Sequence, residues 1–233
     1  MIPRQLEPEV MDTREEAADY NSMDHGDINR LFAEAVLELI ATHQAKCSGS
    51  ADANDLTVLD LGTGTALIPI ELCRRNERLK IVATDLATEM LHVAEGNLQR
   101  VGLRDVVTLE RADAKQLPCA DHCFDGVISN SLIHHVPEPG SVFHEMVRVV
   151  KPEGFLFVRD LLRPDSSAEL DRLVELYAGE ANPHQRQMFH NSLHAALTLD
   201  EVQALLKACG LPPGTAQITS DRHWTVSVKV RPV

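Results

Sequence analysis

The chain has 233 residues, 44% of them hydrophobic, which is enough to bury a full core and excludes a globally disordered chain. Lys and Arg number 22 against 35 Asp and Glu, a net charge of −13 with no basic cluster, so a nucleic-acid partner is not expected. No apolar run is long enough to span a membrane, the acidic N-terminus "MIPRQLEPEVMDTREE" lacks an apolar signal core, and Cys47, Cys73, Cys119, Cys123 and Cys209 follow no disulfide framework; a cytoplasmic protein with reduced thiols is expected.

After a polar lead, Ile28, Leu31, Phe32, Ala35, Val36, Leu39 and Ile40 share one face of an amphipathic helix, within an N-terminal helical segment over 1–45. A polar break at 46–55 precedes a short buried strand, "TVLDLG" (57–62). The helix in "ALIPIELCRR" must place Pro69 in its first turn, where a missing N–H costs nothing. Strands follow at 80–86, 106–111, 124–130 and 155–162, with helices at 88–102, stopped by Gly102, and at 141–150; "KPEG" reads as a turn. Strands alternating with helices imply right-handed parallel units and a sheet covered on both faces. Residues 163–197 break the rhythm as a partly helical insertion. A helix over 198–210, with Thr198 as N-cap and Gly210 as stop, leads to two alternating strands that form an antiparallel pair. The expected fold is one α/β domain over 1–233, a doubly wound, mostly parallel seven-stranded Rossmann-like sheet with an antiparallel C-terminal strand.

The stretch "VLDLGTGTALIPIEL" (58–72) carries the chemistry. Ligands of open parallel sheets bind beyond the carboxyl ends of the strands, where strand order reverses, and Asp60-Leu61-Gly62-Thr63-Gly64 ends the first strand. Gly62 and Gly64 permit a sharp turn and a close approach to the main chain. A phosphate cradle would need a Lys-Ser/Thr after the second glycine, and a dinucleotide fingerprint a third glycine where Leu67 stands. An S-adenosyl ligand needs neither, and Asp60 is suitably acidic for its ammonium group. A lone pair of glycines also serves as a plain turn. Further acids nevertheless end the next two strands: Asp85, where a carboxylate can take both ribose hydroxyls, and Asp113-Ala114, in reach of an adenine amino group. Each alone is also a common turn or helix-capping residue.

The segments "VLDLGTGTA", "ATDLATEMLHVA", "RADAKQLPCADHCFDGVISN" and "EMVRVVKPEGFLFVRD", in this order over about residues 56–162, resemble the class I S-adenosylmethionine-dependent methyltransferases of the small-molecule type, the ubiquinone/menaquinone methyltransferase-like group. The resemblance implies methyl transfer from S-adenosylmethionine, with S-adenosylhomocysteine as product, to an O, N, S or C atom of a small molecule. It places Asp60, Gly62, Thr63 and Gly64 around the methionine end, Asp85 at the ribose, Asp113 and Ala114 at the adenine, Leu86 and Met90 against the adenosine, and Asn130 at the edge of the site. "NSLIHH" stands where amide and adenine methylating members carry Asn/Asp-Pro-Pro-Tyr/Phe.

In-line methyl transfer asks mainly for alignment and exclusion of water, with a base only if the nucleophile must lose a proton. His134 and His135 are candidates for that base, or pack and shape the pocket. The insertion at 163–197 holds His184, Arg186, His190 and His194. Its histidines at i, i+4 lack the Glu of a metal motif, so no metal is expected and the insertion reads as a substrate cap. Tyr20 and Met23 either close over the cofactor or form a surface lead-in; Cys119 and Cys123 read as free thiols, and Phe155 and Trp224 as core or strand-pair aromatics. Three other functions fit less well: aminopropyl transfer lacks an acidic pocket, a nicotinamide oxidoreductase is opposed by Leu67, and a silent S-adenosyl-binding partner protein would show ligand binding without turnover.

Overall fold

The computed structural model describes residues 2–23, 26–47 and 55–230, so most of the polar break at 46–55 lies outside the described residues. Strands β1 (Leu56–Leu61), β2 (Leu79–Asp85), β3 (Val107–Arg111), β4 (Phe124–Asn130), β5 (Val150–Leu161), β6 (Ala216–Ser220) and β7 (His223–Lys229) make one sheet in the order β3-β2-β1-β4-β5-β7-β6. The neighbours among β1 to β5 pair in parallel, and β7 inserts antiparallel between β5 and β6. Strand order reverses between β1 and β4, so the carboxyl ends of these two strands border the crevice where this architecture binds ligands.

Side-chain alternation divides the sheet into two apolar faces. Leu59, Leu61, Val127, Leu156 and Val158 point to one core, shared with Phe143 and Met146 of α5 (Gly140–Val149), Val202 and Leu206 of α8 (Leu199–Ala208) and the fully buried Trp224. Val58, Ile128, Phe155 and Phe157 face the other, against Phe32, Val36 and Ile40 of α2 (Gly26–Cys47), Ile70 and Leu72 of α3 (Leu67–Arg75), and Ala94 and Leu98 of α4 (Thr88–Val101). The expected aromatic core pair, Phe155 and Trp224, thus sits on opposite faces.

Gly126 makes the β4–β5 contact possible: a Cβ there would stand 2.1 Å from Phe155 Cζ, a ring with no exposure. Gly126→Ala is expected to cost about 1–3 kcal/mol through overpacking. At about 2–4 °C per kcal/mol for a chain of this size, thermal unfolding will read the loss directly.

Local differences from the expected elements have identifiable causes. The polar lead contains α1 (Arg14–Ser22), started by a capping box between Thr13 and Glu16. "KPEG" is absorbed into β5 as an irregularity, with a register shift between Phe124 and Gly126 and Glu153 at φ 67°. The insertion forms α6 (Ser167–Ala178) and α7 (Pro183–Ala195), the second with a capping box between Asn182 and Gln185 and Pro183 in its first turn. α8 ends at Ala208, with Gly210 at φ 73° just beyond its cap.

Candidate active site

The glycine loop leaves β1 under tight backbone control. Gly62 N and Thr63 N both donate to Thr84 O at 2.9 Å, and Ser129 Oγ donates to Leu61 O. Gly62 (φ 70°) and Gly64 (φ 54°) occupy the left-handed region that side chains disfavour. A Cβ on Gly62 would meet Leu132 at 2.9 Å, and one on Gly64 would touch the Tyr20 ring at 3.4 Å. Two non-glycine residues in the same region, Ala66 and Ser131, also flank this loop, a concentration of backbone strain of the kind functional sites hold.

The three strand-end acids differ sharply in environment. Asp60 is 2% exposed, and burial, with Asp85 adding repulsion, pushes its carboxyl up to about 7. Asp85 accepts from Gly64 N at 2.8 Å and Ala87 N at 2.9 Å; burial still holds its carboxyl above the ordinary value. Asp113 accepts from Lys115 N and pairs with Lys115 Nζ at 3.0 Å, which outweighs its burial and lowers its carboxyl. Lys115 pairs in turn with Glu9 of the N-terminal segment.

That segment straps the cleft. Arg4 donates to the carbonyls of Ala195, His134 and Val136; Gln5 N donates to His194 O; and Asp12 Oδ1 accepts from Glu89 N at the start of α4. Tyr20 follows on α1, its hydroxyl pushed up to about 12 by burial near Asp85 and Asp60. Met90 is buried against Ala17 and Ala87, with Val10, Met11 and Tyr20 beside it.

The histidine pair lies on a short 3-10 turn, Ile133–His135, after β4. His134 is 2% exposed, and its Nδ1 lies 2.5 Å from Asp160 Oδ1. Burial alone would lower this imidazole, but Asp160 holds it above the ordinary histidine value. Asp160 also accepts from Ile133 N and Leu161 N, both at 2.6 Å. Glu7 Oε1 stands 3.0 Å from His135 Nδ1 and 3.5 Å from His134 Nε2.

A cavity of about 640 Å³ joins these groups. Gly62, Gly64, Asp85, Leu86, Met90, Asp113, Ala114, Asn130, His134, His135, Tyr20 and Met23 all border it, while Asp60 and Thr63 border a smaller recess shared with Tyr20 and Asn130. The far wall comes from the insertion, through Tyr177, Gln185, Met188, Phe189 and Ser192, and from Arg222 and His223 at the start of β7. His190 and His194 do not border the cavity; their rings stand 6.0 Å apart. His184 pairs with Asp19 of α1, and Arg186 with Glu175. Cys119 and Cys123 are free thiols. Glu7, Lys115 and Asp160 were not singled out in the sequence. Asp160 carries the same strand-end signal as Asp85; Glu7 carries none.

The residues present suit an S-adenosyl group. Asn130 Oδ1 is buried without a hydrogen-bond partner, and Asp60, hydrogen-bonded by Thr63, is a buried carboxyl whose ionised form a cation would stabilise. Asp85 has acceptor capacity beyond its two backbone donors.

A family model described as a methyltransferase domain matches residues 59–158. The chain is 30% identical over 168 residues to a demethylmenaquinone methyltransferase of Desulfitobacterium hafniense, covering 67% of this chain and 66% of that protein. It is 29% identical over 171 residues to a 27-O-demethylrifamycin SV methyltransferase of Amycolatopsis mediterranei, covering 72% and 59%. The chain therefore spans under two thirds of the length of these two relatives. In fold it resembles a SAM-dependent methyltransferase of Aquifex aeolicus (TM-score 0.53, 20% identity, 88% of this chain and 98% of that one) and the [4+2]-cyclase SpnF (TM-score 0.55, 15% identity, 83% and 82%). With the glycine loop and the strand-end acids placed around one cleft and a methyltransferase-domain model matched over residues 59–158, the chain belongs to the class I S-adenosylmethionine-dependent methyltransferases, in the group of the ubiquinone and menaquinone methyltransferases.

Proposed function

We propose that this cleft binds S-adenosylmethionine and directs its methyl group to a small-molecule acceptor held under the α6–α7 cap. The observation that carries the reading is the set of acidic groups that line one crevice after successive strands: the buried Asp60, then Asp85, then the partly exposed Asp113, with Asn130 across the loop. Fold alone does not carry it, since a cyclase shares the architecture.

Asp60, with Thr63, takes the cationic methionine end, Asp85 the ribose hydroxyls, and Asp113 with Ala114 the adenine edge, between Leu86 and Met90. The bound group supplies an electrophilic methyl. The chain supplies alignment and dryness: Tyr20 and the N-terminal strap cover the loop, and α6 and α7 cover the acceptor side. An acceptor that must lose a proton meets the His134–His135 wall. Both His134 nitrogens face carboxylates, so His135 is the better placed to receive that proton. The cap wall is largely apolar, with Met188 and Phe189 beside Tyr177, and burial near Arg222 and Arg159 pushes His223 down to about 4, keeping it neutral. Such a wall suits an acceptor with a large apolar body, consistent with the dissimilar acceptors named for the relatives, demethylmenaquinone and 27-O-demethylrifamycin SV. Among the described residues no helix is long and apolar enough to cross a membrane.

Calorimetry with the purified chain is expected to show one S-adenosylhomocysteine bound per chain, competed by S-adenosylmethionine and untouched by NAD. Absence of both S-adenosyl ligands, or competition by NAD, would overturn the assignment.

A further inference from the structure

Three donor groups converge beside the cleft in a manner that methyl transfer does not require, two of them bordering the cavity. Glu7 arrives on the N-terminal strap, and His134 and His135 on the turn after β4. We propose that these three residues bind one divalent first-row transition ion, of the Zn²⁺ class, with an open position turned toward the acceptor side of the cavity.

The donor atoms all lie within 4.8 Å of one another, with Glu7 Oε1 3.0 Å from His135 Nδ1 and 3.5 Å from His134 Nε2. Ligands placed about 2.0–2.2 Å from a tetrahedral ion stand roughly this far apart. Glu7 Oε1 lies within hydrogen-bonding distance of the buried His135 Nδ1, and a divalent ion bound there would take the place of the proton that this pair shares. The Glu7 side chain is 10% exposed, and among the described residues no Lys or Arg ion-pairs with it. Arg4, the cation beside this cluster, directs its guanidinium to backbone carbonyls instead.

The surroundings orient the donors as the outer shell of a metal site does. Asp160 grips His134 Nδ1 at 2.5 Å and so fixes the ring with Nε2 toward Glu7, where a bound ion would displace any proton that Nε2 carries. Ser192 Oγ donates to Glu7 at 3.2 Å. Two imidazoles and one carboxylate favour Zn²⁺, Co²⁺ or Ni²⁺ over Mg²⁺ and Ca²⁺. Three protein ligands leave a coordination position free, and both histidines border the cavity. An acceptor hydroxyl bound there would lose its proton more readily, serving the same end as a histidine base by another route. This last step rests on the proposed function; the ion site itself does not.

The test is calorimetric titration of Zn²⁺, and of Co²⁺ with its visible absorption as a report of coordination, into the chelator-treated full chain with and without S-adenosylhomocysteine. One ion per chain is expected. His135→Ala and Glu7→Gln should each weaken binding at least ~10-fold, and Asp160→Asn by about 10–100-fold. Among the described residues, the exposed cluster Glu15, Asp19 and His184 is the other place where such donors meet, so His184→Ala should leave the affinity unchanged. Retained S-adenosylhomocysteine binding certifies that each variant is folded. Absence of a stoichiometric ion, or binding lost in His184→Ala but kept in His135→Ala, would overturn the proposal. If S-adenosylhomocysteine binds and Zn²⁺ does not, the ion site alone falls; if neither binds, the methyl-transfer reading falls as well.

Discussion

Asp85→Ala is expected to weaken S-adenosylhomocysteine binding by on the order of 100-fold or more, the largest single loss at the site. A hydrogen bond to a charged acceptor contributes about 1.5–3 kcal/mol, and the proposed ribose contact makes two of them. The carboxylate has room for them: its two oxygens offer about four acceptor positions, of which Gly64 N and Ala87 N take two. Removing the side chain also strips the partner from Gly64 N, loosening a loop that depends on φ 54° at that residue. Asp85→Asn retains one acceptor oxygen and should lose roughly tenfold. Calorimetry on both variants separates the contributions, since a turn-only role predicts equal, small effects on the ligand and a fall in melting temperature. Full-strength binding by Asp85→Ala would remove the ribose assignment.

The central α/β unit was legible because its signals are local. Short apolar strand runs, the helix stop at Gly102 and the Pro69 start of α3 each follow from a few adjacent residues, and by count alone the acids at 60 and 85 fall in strand ends and that at 113 just past β3. α1 falls inside the helical segment expected over 1–45 but was not delimited there despite a readable capping box, "TREE", because its face carries few apolar residues: Ala17 is its one buried position. β5 defeated the turn expectation at "KPEG" because its backbone rejoins the ladder through an irregularity that no periodicity marks. Glu7 was invisible for a different reason. Its meaning depends on the strap crossing from α7 to the 3-10 turn, held by Arg4 and Gln5 through backbone carbonyls, and carbonyl partners leave no trace in side-chain identity. The insertion's histidines show the converse, since an i, i+4 spacing that is formally a metal pair sits away from the cavity.

Asp60→Asn should improve the ligand-free protein while damaging the ligand complex. The carboxyl titrates near 7 in the folded chain against an ordinary 3.8, chiefly because it is buried, so the folded state holds the proton more tightly than the unfolded one. Stability is therefore fullest below about pH 4 and is lost as pH rises toward 7, a cost on the order of a few kcal/mol once the group is ionised. Asparagine removes the charge at nearly constant volume. At pH 8 the ligand-free variant is expected to melt above the parent chain, by about 2–4 °C for each kcal/mol recovered. The same change removes the partner of the ligand's ammonium group and should weaken S-adenosylhomocysteine by about 10–100-fold. Scanning calorimetry from pH 5 to 8 supplies a further check: the thermal shift produced by the ligand should grow with pH in the parent chain and stay flat in Asp60→Asn. A parent shift that falls across this range would mean that Asp60 binds the ligand as a neutral acid, and the ammonium contact would have to be sought elsewhere in the recess.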